Sequence, residues 1–291
     1  MKVLITGCKG QVGQELMLLA QRYGCEAIGF DRDSLDITDQ STVENVIQQY
    51  KPDAVINAAA YTAVDKAEID KTAAFAVNAT AVGYLAQACT DMDIPLVHIS
   101  TDYVFDGIKV GAYREDDVPS PVGVYGKSKL AGEDAVRSIC KQYYILRTSW
   151  VFSPHGNNFV KTMLHLGAGR EELGIVADQC GKPTSAGEIA HVIYAMLKSG
   201  KQAWGAYHIA QPQVTTWFDF AGAIFSEARK QGVLLQLKEL SAITTNAYPT
   251  PAKRPSNSSL DCAKLGKTFN VVLKPWAESL QEVIADIYQG L

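Results

Sequence analysis

Short apolar runs alternate with longer segments of helical period along the first 150 residues. Five runs are predicted to be strands, at residues 2–5, 27–30, 54–57, 96–100 and 144–147. Segments 11–21, 42–49, 72–89 and 125–138 lie between them and carry their apolar residues on one helical face. Uninterrupted apolar runs are typical of parallel strands that are buried on both faces. Repeated β-α-β units therefore predict an α/β fold with a doubly wound parallel sheet and right-handed crossovers.

The alternation becomes irregular after about residue 150. Helices are predicted at residues 158–166, 186–197, 217–230 and 276–288, with one strand at 207–210. The proline-rich passage 248–255 is predicted to be a loop. We predict that residues 1–150 form the sheet domain and that residues 151–291 form a smaller portion packed on it, with interleaving of the two left open.

A glycine-rich loop joins the first strand to the first helix. Its pattern is Gly7-x-x-Gly10-x-x-Gly13, and Gln11 and Val12 open the helix. Glycine permits a tight turn and lets the backbone approach a pyrophosphate, whose charge the helix N-terminus then holds. In this context the loop predicts a Rossmann-type dinucleotide site.

The end of the second strand carries the residues that would select the cofactor. A carboxylate here, Asp31, would accept the adenosine ribose hydroxyls and favour NAD, whereas Arg32 would pair with the 2′-phosphate of NADP. Because both are present, the sequence predicts NADH or NADPH without separating them. Asp36 and Ile37 follow and would suit the adenine amino group and ring face.

Tyr125 and Lys129 are one helical turn apart, and residues at that spacing share a helix face. An adjacent ammonium is expected to lower the pKa of the phenol, which could then exchange a proton with a carbonyl or alcohol oxygen. Thr101 ends the fourth strand, where ligands bind in open α/β sheets. Strand alternation directs Ser100 to the other face, so Thr101 is the predicted second donor to a substrate carbonyl.

Composition excludes several classes of function. The 291 residues carry a net charge of −4 without a basic stripe, which argues against nucleic-acid binding. No apolar run approaches the roughly 20 residues that span a bilayer, and the chain enters a strand without a signal-peptide pattern. The six cysteines form no C-x-x-C pair, so we expect reduced thiols, no zinc site and a cytoplasmic location.

The combination of these motifs resembles the extended short-chain dehydrogenase/reductase superfamily. The glycine loop, Asn57-Ala58-Ala59-Ala60, the strand-end threonine and Tyr125-x-x-x-Lys129 carry the resemblance. Longer segments are similar to one branch of it over essentially the whole chain: 57–68, 100–105, 147–151, 156–159, 178–184 and 254–258. The resemblance implies NAD(P)H-dependent reduction of the C4 ketone of dTDP-4-dehydro-β-L-rhamnose to dTDP-L-rhamnose, the last step in making this precursor of surface polysaccharides.

The resemblance also implies roles for individual residues. Tyr125 would donate the proton, Thr101 would bond the substrate carbonyl, and Lys129 would hold the nicotinamide ribose and tune Tyr125. The motifs and the resemblance together give the predicted cofactor residues Gly7, Gly10, Gln11, Val12, Gly13, Asp31, Arg32, Asp36, Ile37, Ala60, Tyr61, Thr62, Tyr125 and Lys129. The implied substrate residues are Thr101, Asp102, Trp150, Asn158, Gln179, Arg254 and Asn257.

Three further questions stay open from the sequence. Relatives with Mg²⁺ at a dimer contact use several carboxylates, whereas here Glu15 is joined only by Glu188 in the corresponding helix, so a magnesium ion is doubtful.

A homodimer is possible. The alternative functions are a nucleotide-sugar epimerase or dehydratase that retains NAD, and a non-catalytic regulatory subunit of methionine adenosyltransferase.

Overall fold

A six-stranded parallel sheet forms the centre of the molecule in the computed structural model, which describes residues 1–289. The strands of the sheet are β1 (Lys2–Thr6), β2 (Glu26–Phe30), β3 (Ala54–Asn57), β4 (Leu96–Thr101), β5 (Tyr143–Thr148) and β10 (Gly205–Ile209). Their order in the sheet is β10-β5-β4-β3-β1-β2, and every neighbouring pair is parallel.

Helices cover both faces of this sheet. The helices of residues 1–289 are α1 (Gln11–Leu19), α2 (Gln40–Tyr50), α3 (Val64–Ala67), α4 (Lys71–Phe75), α5 (Ala81–Asp91), α6 (Val124–Ile139), α7 (Phe159–Gly169), α8 (Ala186–Lys198), α9 (Trp217–Lys230), α10 (Ala263–Phe269) and α11 (Trp276–Gln289). Those that pack on the sheet are α1, α8 and α10 on one face and α2, α5 and α6 on the other. No helix within residues 1–289 is both long and apolar enough to cross a membrane.

The alternation of buried side chains along β1 shows why the sheet needs helices on both sides. Val3 and Ile5 face a core built with α1, α8 and α10, whereas Leu4 faces a core built with α2, α5 and α6. All three side chains are fully buried. The predicted doubly wound parallel sheet is therefore confirmed.

The second half of the chain contributes both to the sheet and to a separate layer. β10 pairs with β5, and α8 packs on α1. A third core lies among α7, α9 and α11. Three small two-stranded sheets accompany it: β6 (Val151–Phe152) with β9 (Thr184–Ser185), β7 (Glu172–Val176) with β12 (Glu239–Ile243), and β8 (Cys180–Gly181) with β11 (Thr215–Thr216). The division at residue 150 stays a prediction.

The helix predicted at residues 72–89 contains a π-helical segment. Ala76–Thr80 separates α4 from α5. Asn78 in this segment accepts a hydrogen bond from the backbone N–H of Tyr61 at 2.8 Å and donates to the Ser128 hydroxyl at 3.0 Å. The wider turn thus lets one buried amide connect the loop after β3 to helix α6, which carries Tyr125 and Lys129.

The same segment requires a glycine on α6. A Cβ atom at Gly132 would overlap the carbonyl oxygen of Asn78. A Cβ atom at Gly83 on α5 would instead meet its nearest atoms at 3.8 Å, an ordinary contact. Both glycines lie inside helices, where alanine is intrinsically preferred by about 1 kcal/mol.

We expect Gly132→Ala to lower the free energy of unfolding by about 1–3 kcal/mol, because the added methyl forces α6 away from the π-helical segment. Gly83→Ala is the matched control and should leave stability unchanged or raise it by up to about 1 kcal/mol. Urea unfolding followed by circular dichroism measures both. Equal effects of the two substitutions would contradict the close approach.

Candidate active site

A cleft of about 840 Å³ opens at the carboxyl ends of the central strands. It is lined by every predicted cofactor residue except Gly13, and by Thr101, Asp102 and Trp150 of the predicted substrate residues. Gly13 lies behind the loop instead, where a Cβ atom would overlap the carbonyl oxygen of Gly7. The fold thus brings together residues from the ends of β1, β2, β3 and β4 and from helix α6.

The glycine loop is shaped by close backbone contacts. Gly7 has a φ of +70°, and a Cβ atom there would lie 2.6 Å from the backbone nitrogen of Ala59. Gly10 caps α1, whose first turn with Gln11 and Val12 borders the cleft. The first N–H groups of a helix lack intrahelical acceptors and carry the positive end of its dipole. The loop therefore fits the pyrophosphate of a dinucleotide.

Charged side chains border the cleft beyond β2. Asp31 forms an ion pair with Lys9 and accepts hydrogen bonds from the N–H and hydroxyl of Ser34. The bond from Lys9, with those from Ser34, holds the pKa of Asp31 well below its usual range. Arg32 is exposed beside it, and the Thr38 hydroxyl lowers the pKa of Asp36. This edge thus offers both cations and an ionised carboxylate to an adenosine ribose.

Tyr125 and Lys129 both lie in the cleft, but their interaction differs from the sequence prediction. Burial raises the pKa of Tyr125 well above its usual value, and the neighbouring Asp102 carboxylate adds to the rise. Lys129 Nζ donates to the carbonyl oxygen of Ile99 on β4 at 2.6 Å. Burial lowers the pKa of Lys129 to about 8. The expectation that Lys129 lowers the pKa of Tyr125 is therefore wrong for this structure, because desolvation and the Asp102 carboxylate raise that pKa.

Thr101 and Asp102 form a polar pair where β4 ends. The Thr101 hydroxyl donates to Asp102 Oδ1 at 2.9 Å and accepts from the backbone N–H of Tyr103 at 3.2 Å. Asp102 is 4% exposed, and burial raises its pKa to about 6. Its Oδ2 atom has no hydrogen-bond partner within residues 1–289. Ser100 instead donates to Glu133 at 2.6 Å, away from this pair.

Glu133 was not singled out in the sequence, although it positions the helix of the site. It lies one further turn along α6 from Lys129 and is fully buried. Its carboxylate accepts from Arg147 Nε at 2.9 Å and from Arg147 Nη2 at 2.7 Å. The repeated four-residue spacing of Tyr125, Lys129 and Glu133 could have identified Glu133 in the sequence, since it places all three on one helix face.

Trp150 is held in an unusual backbone conformation with a φ of +48°. Its ring stacks on Trp217 with centroids 3.6 Å apart and 13° between the planes. A Cβ atom at Gly181 would lie 2.5 Å from the Trp150 ring, so only glycine leaves room for it. Trp217 and Gly181 are thus the supporting residues that sequence reasoning missed.

The other four predicted substrate residues lie outside the lining of the cleft. Asn158 caps α7 and donates to Gln11 at 3.0 Å. Gln179 donates to Thr245 at 3.0 Å. Arg254 pairs with Asp65 at 2.7 Å and lies 3.4 Å from the hydroxyl of Tyr103, a cleft residue. Asn257 donates to the carbonyl oxygens of Lys109 and Gly111, both at 2.7 Å. Their contact with a substrate stays a prediction.

Glu15, the residue considered for magnesium, lies near Ser153 and His155. The Ser153 hydroxyl is 3.4 Å from Glu15 Oε1, and His155 Nε2 is 3.7 Å from it. Burial raises the pKa of Glu15. Within residues 1–289, no three His, Cys, Asp or Glu side chains group in an arrangement that could hold a metal ion.

Comparisons with known proteins give a consistent result over the full chain. The model of the family described as RmlD substrate binding domain matches residues 1–289. A dTDP-4-dehydrorhamnose reductase of Aggregatibacter actinomycetemcomitans is 45% identical over 289 residues, covering 98% of each chain. The crystal structure of a dTDP-4-dehydrorhamnose reductase from Clostridium acetobutylicum is 39% identical with a TM-score of 0.93, over 99% of this chain and 100% of that one.

A second solved structure was determined with a bound cofactor. The dTDP-4-dehydrorhamnose reductase from Bacillus anthracis, in complex with NADP, is 36% identical with a TM-score of 0.92. The match covers 98% of this chain and 99% of that one.

The buried carboxyl of Asp102 predicts a pH-dependent stability. Its pKa of about 6 lies above the unfolded value of about 3.9, so the folded state favours the protonated form. The protonated carboxyl contributes fully to stability below about pH 4, and this contribution is lost as the pH rises through 6. The loss lowers the free energy of unfolding by about 2–3 kcal/mol. Asp102→Asn should therefore gain stability relative to the unsubstituted protein between pH 4 and pH 8.

Asp106→Asn is the matched control, and its effect on stability should depend on pH in the opposite direction. Tyr113 donates to Asp106 at 2.6 Å and lowers the pKa of that carboxyl, so its contribution is present at neutral pH and lost on acidification. Urea unfolding of both variants at pH 4.5 and pH 8 measures the two trends. A stability difference for Asp102→Asn that does not change with pH would exclude a raised pKa.

Proposed function

The chain belongs to the family described as RmlD substrate binding domain, and we propose that it reduces the C4 ketone of dTDP-4-dehydro-β-L-rhamnose to dTDP-L-rhamnose with NADH or NADPH. The observation that carries this function is the convergence of the glycine loop, Thr101, Tyr125 and Lys129 on one cleft. A dinucleotide loop and a proton donor facing one cavity are what reduction of a carbonyl requires.

Tyr125 is the proton donor to the ketone oxygen. Because burial and Asp102 raise its pKa, the phenol remains protonated at neutral pH until charge develops on that oxygen. The Thr101 hydroxyl, which donates to Asp102 in this structure, turns to donate to the same oxygen. The reduced nicotinamide, when bound, supplies the hydride. Hydride addition at C4 and proton transfer from Tyr125 to O4 together give the alcohol.

The similar proteins favour this reductase over the alternative functions. Three full-length relatives that share 36–45% identity with this chain bear the same name, dTDP-4-dehydrorhamnose reductase. A dehydratase would need an acid/base pair after the strand-end threonine, whereas Thr101 is followed here by Asp102 and Tyr103. A regulatory subunit would have no need for Thr101, Tyr125 and Lys129 around one cleft.

We propose that the deoxysugar and the diphosphate of the substrate bind at Trp150 and Arg254. Trp150 offers an indole ring to the deoxysugar, and the Arg254 guanidinium can form two hydrogen bonds to a diphosphate. Arg254 would have to exchange its partner Asp65 for the substrate. A cytoplasmic location and association into a homodimer stay predictions.

Tyr125→Phe should lower kcat for the keto-sugar by about 10²–10⁴-fold, because it removes the proton donor. Cofactor binding, measured by quenching of tryptophan fluorescence, should change little. Tyr84→Phe is the matched control, since that hydroxyl lies on α5 outside the cleft, and it should keep full activity. Oxidation of NADH or NADPH followed at 340 nm measures turnover. No turnover by the unsubstituted protein with either cofactor would refute the proposed function.

Replacement of the charged residues beside the ribose site should separate the two cofactors. Arg32→Ala should raise KM for NADPH roughly tenfold while KM for NADH changes little, because it removes the partner of the 2′-phosphate. Asp31→Ala should mainly raise KM for NADH, because it removes the acceptor of the ribose hydroxyls. Arg22→Ala, an exposed arginine outside the cleft, is the control. The same shift for both cofactors in Arg32→Ala would contradict this assignment.

A further inference from the structure

A row of buried polar side chains crosses the sheet and ends at Lys129. The Thr6 hydroxyl on β1 donates to Asn57 Oδ1 on β3 at 2.6 Å. Asn57 Nδ2 lies 3.0 Å from Nδ1 of His98 on β4. His98 Nε2 lies 3.5 Å from Lys129 Nζ on α6. The first three side chains are at most 1% exposed, and Lys129 is 2% exposed, so solvent does not complete their hydrogen bonds.

The orientation of the Asn57 amide is fixed by a backbone group. The N–H of Ala59 donates to Asn57 Oδ1 at 3.2 Å. A backbone N–H cannot accept a hydrogen bond, so the amide oxygen must face Ala59 and Thr6. Asn57 Nδ2, which can only donate, therefore faces His98.

This orientation determines the tautomer of His98. Since Asn57 Nδ2 donates, His98 Nδ1 must be the unprotonated acceptor. Complete burial holds the pKa of His98 well below its usual range, so the ring is neutral. The single ring proton is then on Nε2, and it points at Lys129.

A donor that faces Lys129 restricts the form of this amine. An ammonium group has no lone pair, so it can only place another donor against the His98 N–H. A neutral amine can accept that N–H while it donates to the carbonyl oxygen of Ile99 at 2.6 Å. The arrangement around Lys129 therefore favours the neutral amine.

We propose that His98, held by Asn57 in its Nε2–H tautomer, is a positioning residue that stabilises the neutral amine of Lys129 and so sets the pH at which this lysine gains its charge. Glu133, also on α6, is the other titratable group that acts on Lys129, and Tyr125 lines the same cleft. The charge of Glu133 is held by Arg147, which leaves His98 as the group in direct contact with the amine. Burial lowers the pKa of Lys129 to about 8, and the neighbouring Glu133 carboxylate opposes this shift.

The consequence for catalysis rests on the proposed function. If the charged form of Lys129 supports proton donation by Tyr125, activity falls on the alkaline side as the lysine loses its proton. Asn57→Asp should reverse the tautomer, because a carboxylate accepts from His98 Nδ1 and leaves Nε2 free to accept from an ammonium. The alkaline limb of the kcat/KM profile should then move up by about one pH unit or more.

The primary test is independent of activity. Long-range ¹H–¹⁵N correlation spectra of the full chain report the protonation of each ring nitrogen, and the absence of one of the five histidine signals in His98→Gln identifies His98. We expect Nδ1 without a proton and Nε2 with one between pH 6 and pH 9. A protonated Nδ1 or a doubly protonated ring would overturn the proposal, whether or not the protein reduces the keto-sugar.

Two variants complete the test. Asn57→Asp should show the opposite tautomer and the shifted alkaline limb, and an unchanged limb in an active, folded variant would overturn the proposed control of Lys129. Thr6→Val is the matched control. It removes the 2.6 Å bond to Asn57 but leaves the Ala59 N–H to orient the amide, so the tautomer and the pH profile should not move. If Asn57→Asp does not fold, the spectra of the unsubstituted protein still decide the tautomer.

Discussion

The buried ion pair between Glu133 and Arg147 is the interaction on which the arrangement of the active site depends. It fastens helix α6 to strand β5 through two hydrogen bonds, and Ser100 adds a bond from β4. Burial alone would raise the pKa of Glu133, but the bonds from Arg147 and Ser100 outweigh it and keep the carboxyl ionised. A buried carboxylate without these partners would cost several kcal/mol. Tyr125 and Lys129 precede Glu133 on the same helix, so the pair fixes their position relative to Thr101.

Burial raises the pKa values of the acids in this cleft and lowers the pKa of its lysine, and these shifts set the protonation states of the groups. It favours the neutral forms of Tyr125, Asp102 and Lys129, since each loses solvation when it is charged. For the tyrosine this outcome is useful, because a proton donor must hold its proton until the ketone oxygen gains charge. For the lysine it places the pKa close to working pH, where the tautomer of His98 can shift the balance between amine and ammonium.

Supporting residues determine the geometry of the residues that line the cleft. Trp150 stacks on the ring of Trp217 and packs close to the backbone of Gly181, and its own backbone has a positive φ. The loop after β3 is held by Asn78, a residue of a π-helical segment that also bonds α6. These contacts join segments that are far apart in the chain, so the arrangement of the reductase site depends on the complete fold.

The sequence by itself determined the central sheet, the glycine loop and the set of Tyr125, Lys129 and Thr101. Each of these depends on local spacing: uninterrupted apolar runs, glycines at a strand-to-helix turn, and residues one helical turn apart. The tertiary structure alone decided the charge states of Tyr125, Lys129 and Asp102, because desolvation depends on atoms contributed by other segments. It also decided that β10 completes the sheet, that Asn257 bonds neighbouring loops, and that Trp217 supports Trp150. Long-range contacts of this kind leave no periodic signal in the chain, whereas the local patterns of the strands and the loop do.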